Sequence, residues 1–140
     1  MLIGEYNCNT DIKGRLNFPA KLREDLGDKF IISKALNDSC LCVYSIEEWN
    51  VMATKIKSLP MSKGRNIQRH FFSSATEVEP DKQGRIVIPQ GLRKYAQIEK
   101  ETTIIGMSTY CEIWSSANWN DFCEATDTED MSEEMEELGI

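Results

Sequence analysis

The chain has 140 residues, with 16 Lys/Arg against 23 Asp/Glu and a formal net charge of −7. That is the size of one ordinary domain. No apolar run approaches the length of a membrane span, and the start, MLIGEYN, has no basic region before Glu5, so neither a membrane protein nor an exported one is expected. The acidity argues against a nucleic-acid partner until it is mapped along the chain. Residues 1–70 carry 11 bases and 8 acids, residues 71–140 carry 5 and 15, and residues 121–140 alone hold 9 acids and no base. The negative charge is therefore mostly one terminal segment.

Residues 2–10 read as a short strand. DIKG, residues 11–14, is a turn: Asp11 accepts backbone N–H bonds and Gly14 takes the positive φ that other residues avoid. RLNF follows as a strand with Leu16 and Phe18 inward. Pro19 stops strand pairing and suits the first turn of a helix. PAKLREDLG is that helix, with Leu22 and Leu26 on one face and Gly27 as its stop. KFIIS and CLCVYS are two further strands. Ser45 then starts a helix with acids in its first turn and Trp49, Met52 and Ile56 as its apolar stripe. SKGRNIQRHFFSS is a second helix, carrying Lys63, Arg65 and Arg69.

From Asp81 the chain repeats itself. Over residues 11–27 against 81–97, six of seventeen positions are identical: Asp11/Asp81, Gly14/Gly84, Arg15/Arg85, Pro19/Pro89, Leu22/Leu92 and Arg23/Arg93. The same offset pairs Val43 with Ile113, Tyr44 with Trp114, Ser45 with Ser115 and Trp49 with Trp119. One unit occurs twice. The second copy gives the strand RIVI, a weaker helix over PQGLRKYAQ because Gly91 lowers propensity, the strands TTIIGMS and CEIWSS, and the helix SSANWNDFCEA. In MSEEMEELGI, Met131, Met135 and Leu138 stand at helical spacing, but the run is short and acidic, so a frayed helix or disordered tail is expected.

A repeat of about 45 residues struggles to bury a core alone. The two copies are expected to fold together with pseudo-two-fold symmetry, each covering the other's apolar face. The expected class is mainly β with short helices (α+β). Residues 5–47 form the first repeat, 48–75 a helical connector, 76–119 the second repeat and 120–140 the acidic tail.

The five cysteines, Cys8, Cys40, Cys42, Cys111 and Cys123, are an odd set that fits a reduced chain. Cys40 and Cys42 would share a strand face, but zinc needs two more ligands and the only histidine is His70. The cysteines read as small apolar fillers, and no metal or cofactor is expected. There is no P-loop, no G-x-S-x-G and no nucleophile–base set, so neither an enzyme nor a small-molecule substrate is expected. Arg15 and Arg85 each follow a tight glycine turn, and Asp11 and Asp81 are spaced to hold them across the loop. A planar guanidinium grips phosphate or guanine bidentately. Lys13, Lys82, Lys21, Arg23, Arg93 and Lys94 lie in or just beyond the same segments. An Asp–Arg pair can simply fasten a loop, but the duplication and the surrounding bases favour DNA contact at Arg15 and Arg85. For Lys21, Arg23, Arg93 and Lys94 a solvated helix face accounts equally well. Lys55, Lys57, Lys63, Arg65 and Arg69 read as plain charged helix surface. Trp49, Trp114 and Trp119 read as core or subunit-interface anchors, and His70 as a surface or interface residue.

The pattern D-x-x-G-R-ϕ-x-ϕ-P-x-x-L-R, with ϕ apolar, resembles the looped strand–helix core of the AbrB-like (SpoVT–AbrB) DNA-binding domain. Two copies, with an opening like GEYNCNTDIKGR and an FFSSATE segment before the second, resemble the layout of the MraZ family up to about residue 120. The resemblance implies swapped-hairpin-type units. It implies a cytoplasmic, nucleoid-associated transcription factor that represses the division and cell-wall gene cluster from its own promoter. It also implies a ring-shaped homo-oligomer that docks repeated elements of double-stranded promoter DNA. The family's D-x-x-x-R motif maps onto Asp11 with Arg15 and onto Asp81 with Arg85. The chain departs from the pattern at Gln83, where the first copy has Lys13, and at Ser74, where the family often has Gly. The alternative is an oligomeric partner-binding protein of the AbrB-like antitoxin type, whose acidic tail suits a basic partner; two full copies on one chain speak against it.

Overall fold

A computed structural model describes residues 1–140. The first copy supplies β1 (Glu5–Asn9), β2 (Arg15–Asn17), α1 (Ala20–Leu26), β3 (Phe30–Lys34) and β4 (Leu41–Ser45), followed by α2 (Ile46–Lys57) and α3 (Met61–Ser74). The second supplies β5 (Thr76–Val78), β6 (Arg85–Val87), α4 (Gln90–Tyr95), β7 (Glu101–Gly106) and β8 (Cys111–Ser115), followed by α5 (Ser116–Ala125) and α6 (Thr128–Glu137). Local chemistry repeats with the sequence. Pro19 and Pro89 sit immediately before α1 and α4. The Ser45 hydroxyl accepts from the Glu48 N–H and the Ser115 hydroxyl from the Asn118 N–H, both at 3.1 Å, which caps α2 and α5 alike.

Six strands form one antiparallel sheet in the order β1-β7-β8-β4-β3-β5, and β2 pairs with β6 as a separate ribbon. The order reads the same from either end once β1 is equated with β5, β3 with β7 and β4 with β8. Each copy lends its first strand to the other: β1 pairs with β7, and β5 with β3. The mainly β, α+β class and the tandem packing of the two copies match the expectation. A pseudo-two-fold axis passes through two residue pairs, Leu16 opposite Ile86 in the ribbon and Cys42 opposite Glu112 in the sheet. Both pairs join equivalent positions of the two copies. The equivalence slips by two residues in β3 and β7, where Phe30 opposite Val78 matches Thr102 opposite Cys8. The hairpin loop of residues 35–40 is correspondingly two longer than that of 107–110.

The main core lies between the ribbon with its helices and one face of the sheet. Leu16, Phe18, Leu22, Phe30, Ile86, Ile88, Leu92 and Ile113 all belong to it. On the opposite face Ala35, Cys40, Cys42, Ile105 and Trp114 form a second cluster, against which Tyr44, Tyr110 and Trp119 pack. Here α2 and α3 pack on the β3–β4 half of the sheet and α5 on the β7–β8 half. Trp114 is buried, and Trp49 and Trp119 are half-buried, 5.8 Å from Tyr44 and 5.5 Å from Trp114 between ring centroids.

Burial holds the Cys42 and Cys111 thiols up at about 12, so they are neutral fillers, as Cys40 is. Cys123 differs: it is exposed on α5 and fills nothing. His70 is half-buried. Its Nε2 lies 3.0 Å from the Ala35 carbonyl oxygen, to which the Tyr95 hydroxyl also donates at 2.6 Å. The acidic segment is helical, not disordered. The Asp127 carboxylate accepts from the Glu129 N–H at 2.9 Å, and the acids of the first turn complement the helix dipole.

Leu16 is 1% exposed and sits on the pseudo-two-fold axis. Replacing it by Ala is expected to cost about 2–5 kcal/mol, read by denaturant unfolding. A loss below about 1 kcal/mol would contradict a ribbon packed as the centre of the core.

Candidate nucleic-acid interface

The ribbon sorts its residues by parity. Leu16 and Ile86 point into the core, while Arg15, Asn17, Arg85 and Val87 share the outer face. Arg15 stands opposite Val87 and Arg85 opposite Asn17, so the two arginines are diagonal neighbours. Such neighbours have their backbones about 7–8 Å apart. The ribbon continues into the turns. The Phe18 N–H donates to the Gly84 carbonyl at 3.0 Å and the Ile88 N–H to the Gly14 carbonyl at 2.8 Å. Each glycine turn is thus tied to the other copy, and the two turns lie beside one face.

The turns are built alike. The Asp11 carboxylate accepts from the Lys13 N–H at 3.0 Å and the Arg15 N–H at 2.9 Å, and Arg15 Nε donates to its other oxygen at 2.7 Å. Asp81 accepts from the Gln83 and Arg85 N–H groups, both at 2.9 Å, and from Arg85 Nε at 3.0 Å. The Lys13-to-Gln83 departure leaves this geometry intact, because the backbone N–H makes the bond. Each arginine spends only Nε on its aspartate, and its two terminal amino groups have no protein partner. The Arg15 and Arg85 side chains are 43% and 37% exposed. A rigid base with a free fork suits a phosphate or a guanine edge.

Arg23 and Arg93 do something sequence reasoning missed. Arg23 Nε donates to the Phe18 carbonyl at 3.1 Å and Arg93 Nε to the Ile88 carbonyl at 2.9 Å. A Cβ on Gly84 would lie 2.8 Å from Arg23 Nη2, and one on Gly14 would lie 2.8 Å from Arg93 Nε. Each guanidinium therefore lies over the glycine of the opposite turn, so Gly14 and Gly84 are required for room as well as for φ of +86° and +82°. Both arginines clamp the turns. Their identity between the copies was visible in the sequence, but the partner across the swap was not. Asn17 and Val87, on the outer face, were also missed; strand alternation around Arg15 and Arg85 carried the signal.

The lysines are not brought together as a symmetric set. Lys13 and Lys82 are exposed in the two turns, Lys21 on α1 and Lys94 on α4. The pseudo-two-fold maps them onto Gln83, Ile12, Gly91 and Glu24 respectively. Lys55, Lys57, Lys63, Arg65 and Arg69 are exposed on α2 and α3, on the far face of the sheet from the ribbon.

A family model described as "MraZ protein, putative antitoxin-like" matches the chain twice, over residues 1–68 and 71–138. The chain belongs to the MraZ family. It is 49% identical over 144 residues to the "Transcriptional regulator MraZ" of Alkaliphilus metalliredigens and 51% identical over 144 to that of Caldicellulosiruptor saccharolyticus. It is 48% identical over 143 residues to that of Clostridium tetani, and each comparison covers 100% of both chains. The two matches of the MraZ model are the duplication seen here, the first ending within α3 and the second running on through α6. The relatives are named as regulators and the chain is not an enzyme. No helix is long and apolar enough to cross a membrane.

The backbone N–H groups of Arg15 and Arg85 first, then their guanidinium groups, hold the Asp11 and Asp81 carboxyls below the ordinary value of 3.8. A folded value below the unfolded one means a stabilisation present above the unfolded value and lost as pH falls through the folded one. Carbon-detected NMR titration is expected to place both midpoints under 3.8, with the turn amide shifts following them. A midpoint at or above 3.8 would show that the turns are not held as described.

Proposed function

We propose that the chain is a DNA-binding transcriptional regulator that reads repeated elements of its own promoter through the two D-x-x-G-R turns. The observation that carries this is the shared outer face of the ribbon, where Arg15 and Arg85 stand as diagonal neighbours with their amino groups free. Arg15 and Arg85 reach phosphate or base edges. Lys13 and Lys82 add phosphate contacts from the turn tips, and Lys21 and Lys94 from the flanking helices. Asp11, Gly14, Asp81 and Gly84 set the turns, and Arg23 and Arg93 hold them. The relatives' name supports regulation of transcription, and the family resemblance supports repression of the division and cell-wall gene cluster in the nucleoid.

One subunit offers few contacts, so a single promoter element binds it weakly. A ring of subunits gains affinity on an array through effective concentration. A second reading, as a partner-binding protein of the antitoxin type, is favoured by the family description and by the exposed acidic helix α6. DNA binding discriminates the two.

The test is fluorescence anisotropy on the DNA upstream of the gene, across a salt series. Wild type is expected to bind with a slope of about −0.9 in log–log units per phosphate contacted. Arg15→Ala/Arg85→Ala is expected to lose about tenfold or more per arginine, from the roughly 1–3 kcal/mol of a bidentate contact. No binding by wild type at low salt would retire the regulator reading and promote the partner-binding one.

A further inference from the structure

The outer face of the ribbon has two ends, and each gathers residues from both copies. Arg15 stands opposite Val87, and the Ile88 N–H bonds to the Gly14 carbonyl, so Val87 lies beside the first turn with Ile12 and Lys13. Arg85 stands opposite Asn17, and the Phe18 N–H bonds to the Gly84 carbonyl, so Asn17 lies beside the second turn with Lys82 and Gln83. Opposed residues on one face of an antiparallel pair have their Cβ atoms about 4.5–5.5 Å apart. Each arginine therefore has a different close neighbour.

The two ends carry equal charge: one arginine and one lysine apiece, besides the aspartate that holds the arginine. What separates them is uncharged. Ile12 is 93% exposed and Val87 54%, so the first end sets uncovered apolar surface beside its cations. The second end sets two exposed amides there. Gln83 engages Asp81 through its backbone N–H alone, which leaves its side chain free, and the Asn17 amide has no partner in the chain. The pseudo-two-fold maps Val87 onto Asn17, so the duplication kept by Arg15 and Arg85 is broken at their immediate neighbours.

The major groove admits a two-stranded ribbon and is the groove where every base pair shows a distinct edge. There thymine presents a C5-methyl group, which apolar side chains cover, and adenine presents N7 and N6, which an amide meets with two hydrogen bonds. We propose that the ribbon lies in the major groove with Val87 and Ile12 against thymine methyls and Asn17 and Gln83 against adenine edges. These residues, and not the arginines, tell the two ends of one element apart. Thymine contacts at both ends would select an inverted repeat; thymine at one end and adenine at the other select an asymmetric element. The inference rests on the DNA-binding reading above and deepens it from contact to sequence choice.

The test is anisotropy on the upstream promoter fragment in three forms: natural, with uracil for every thymine, and with 7-deazaadenine for every adenine. Uracil lacks only the methyl, and 7-deazaadenine only the N7 acceptor. Wild type is expected to lose about fourfold per covered methyl on the uracil DNA. It should lose roughly fivefold or more on the deaza DNA, the lower end for a bidentate contact. Ile12→Ser/Val87→Ser should bind natural and uracil DNA alike and keep the loss on deaza DNA. Asn17→Ala/Gln83→Ala should do the reverse. Each comparison is a ratio between DNAs for one protein, so a change in folded fraction cancels. Wild type that binds the natural fragment and both substituted ones equally would overturn base reading by these residues while leaving the regulator reading in place. A variant that keeps the wild-type ratio for its own base would overturn the assignment of that pair. Wild type that binds no natural DNA would overturn both readings.

Discussion

The pairing of Leu16 with Ile86 is the constraint on which the rest depends. Both are apolar, both are buried to within 2% of full exposure loss, and they are the same position of the two copies. Placing them opposite each other in antiparallel strands fixes the pseudo-two-fold axis. Alternation then turns Arg15 and Arg85 outward together, because a strand cannot bury one residue without exposing the next. The helices after each proline follow, with Leu22 and Leu92 closing the core beneath the ribbon. A one-residue slip would bury both arginines and expose both apolar side chains, so the register is strongly set.

The swap makes the two turns one object. The carbonyls of Gly14 and Gly84 bond to N–H groups of the opposite copy, and Arg93 and Arg23 lie over those glycines. A turn of four residues alone would be mobile. Here each is held by its own aspartate and by an arginine from across the axis, which is the preorganisation a charged contact needs. The symmetry is strict in the turns and lax among the lysines around them. Asp, Gly and both arginines repeat, while Lys13 and Lys82 do not. Each subunit thus presents one frame carrying two different sets of outer side chains.

Much of this was legible in the sequence, for identifiable reasons. The duplication, the turns, the prolines and the α+β class rest on local signals: glycine φ, proline geometry and side-chain alternation. Swapped-hairpin-type units were expected from resemblance alone; that the first strands change copies was not legible, because β1 and β3 look alike to any neighbouring strand. The clamp made by Arg23 and Arg93 was not legible, since an arginine on a helix reads as solvated until the opposite turn is seen beneath it. Cys123 departed from its expectation as a filler, and the His70 contact was not legible, for a similar reason. Burial of a lone residue depends on what the chain brings over it, as α3 brings His70 to the Ala35 carbonyl and α5 leaves Cys123 uncovered. The acidic segment was expected as a frayed helix or a disordered tail, and its cap at Asp127 and its first-turn acids favour the helix.

We propose that the ribbon's outer face with its two turns and flanking helices, and not the basic surface of α2 and α3, meets DNA. Amide hydrogen exchange with and without the upstream promoter fragment tests it most directly. The account predicts added protection in both turns, residues 11–15 and 81–85, to comparable extents. Protection confined to the basic helices α2 and α3, with the turns unchanged, would contradict it.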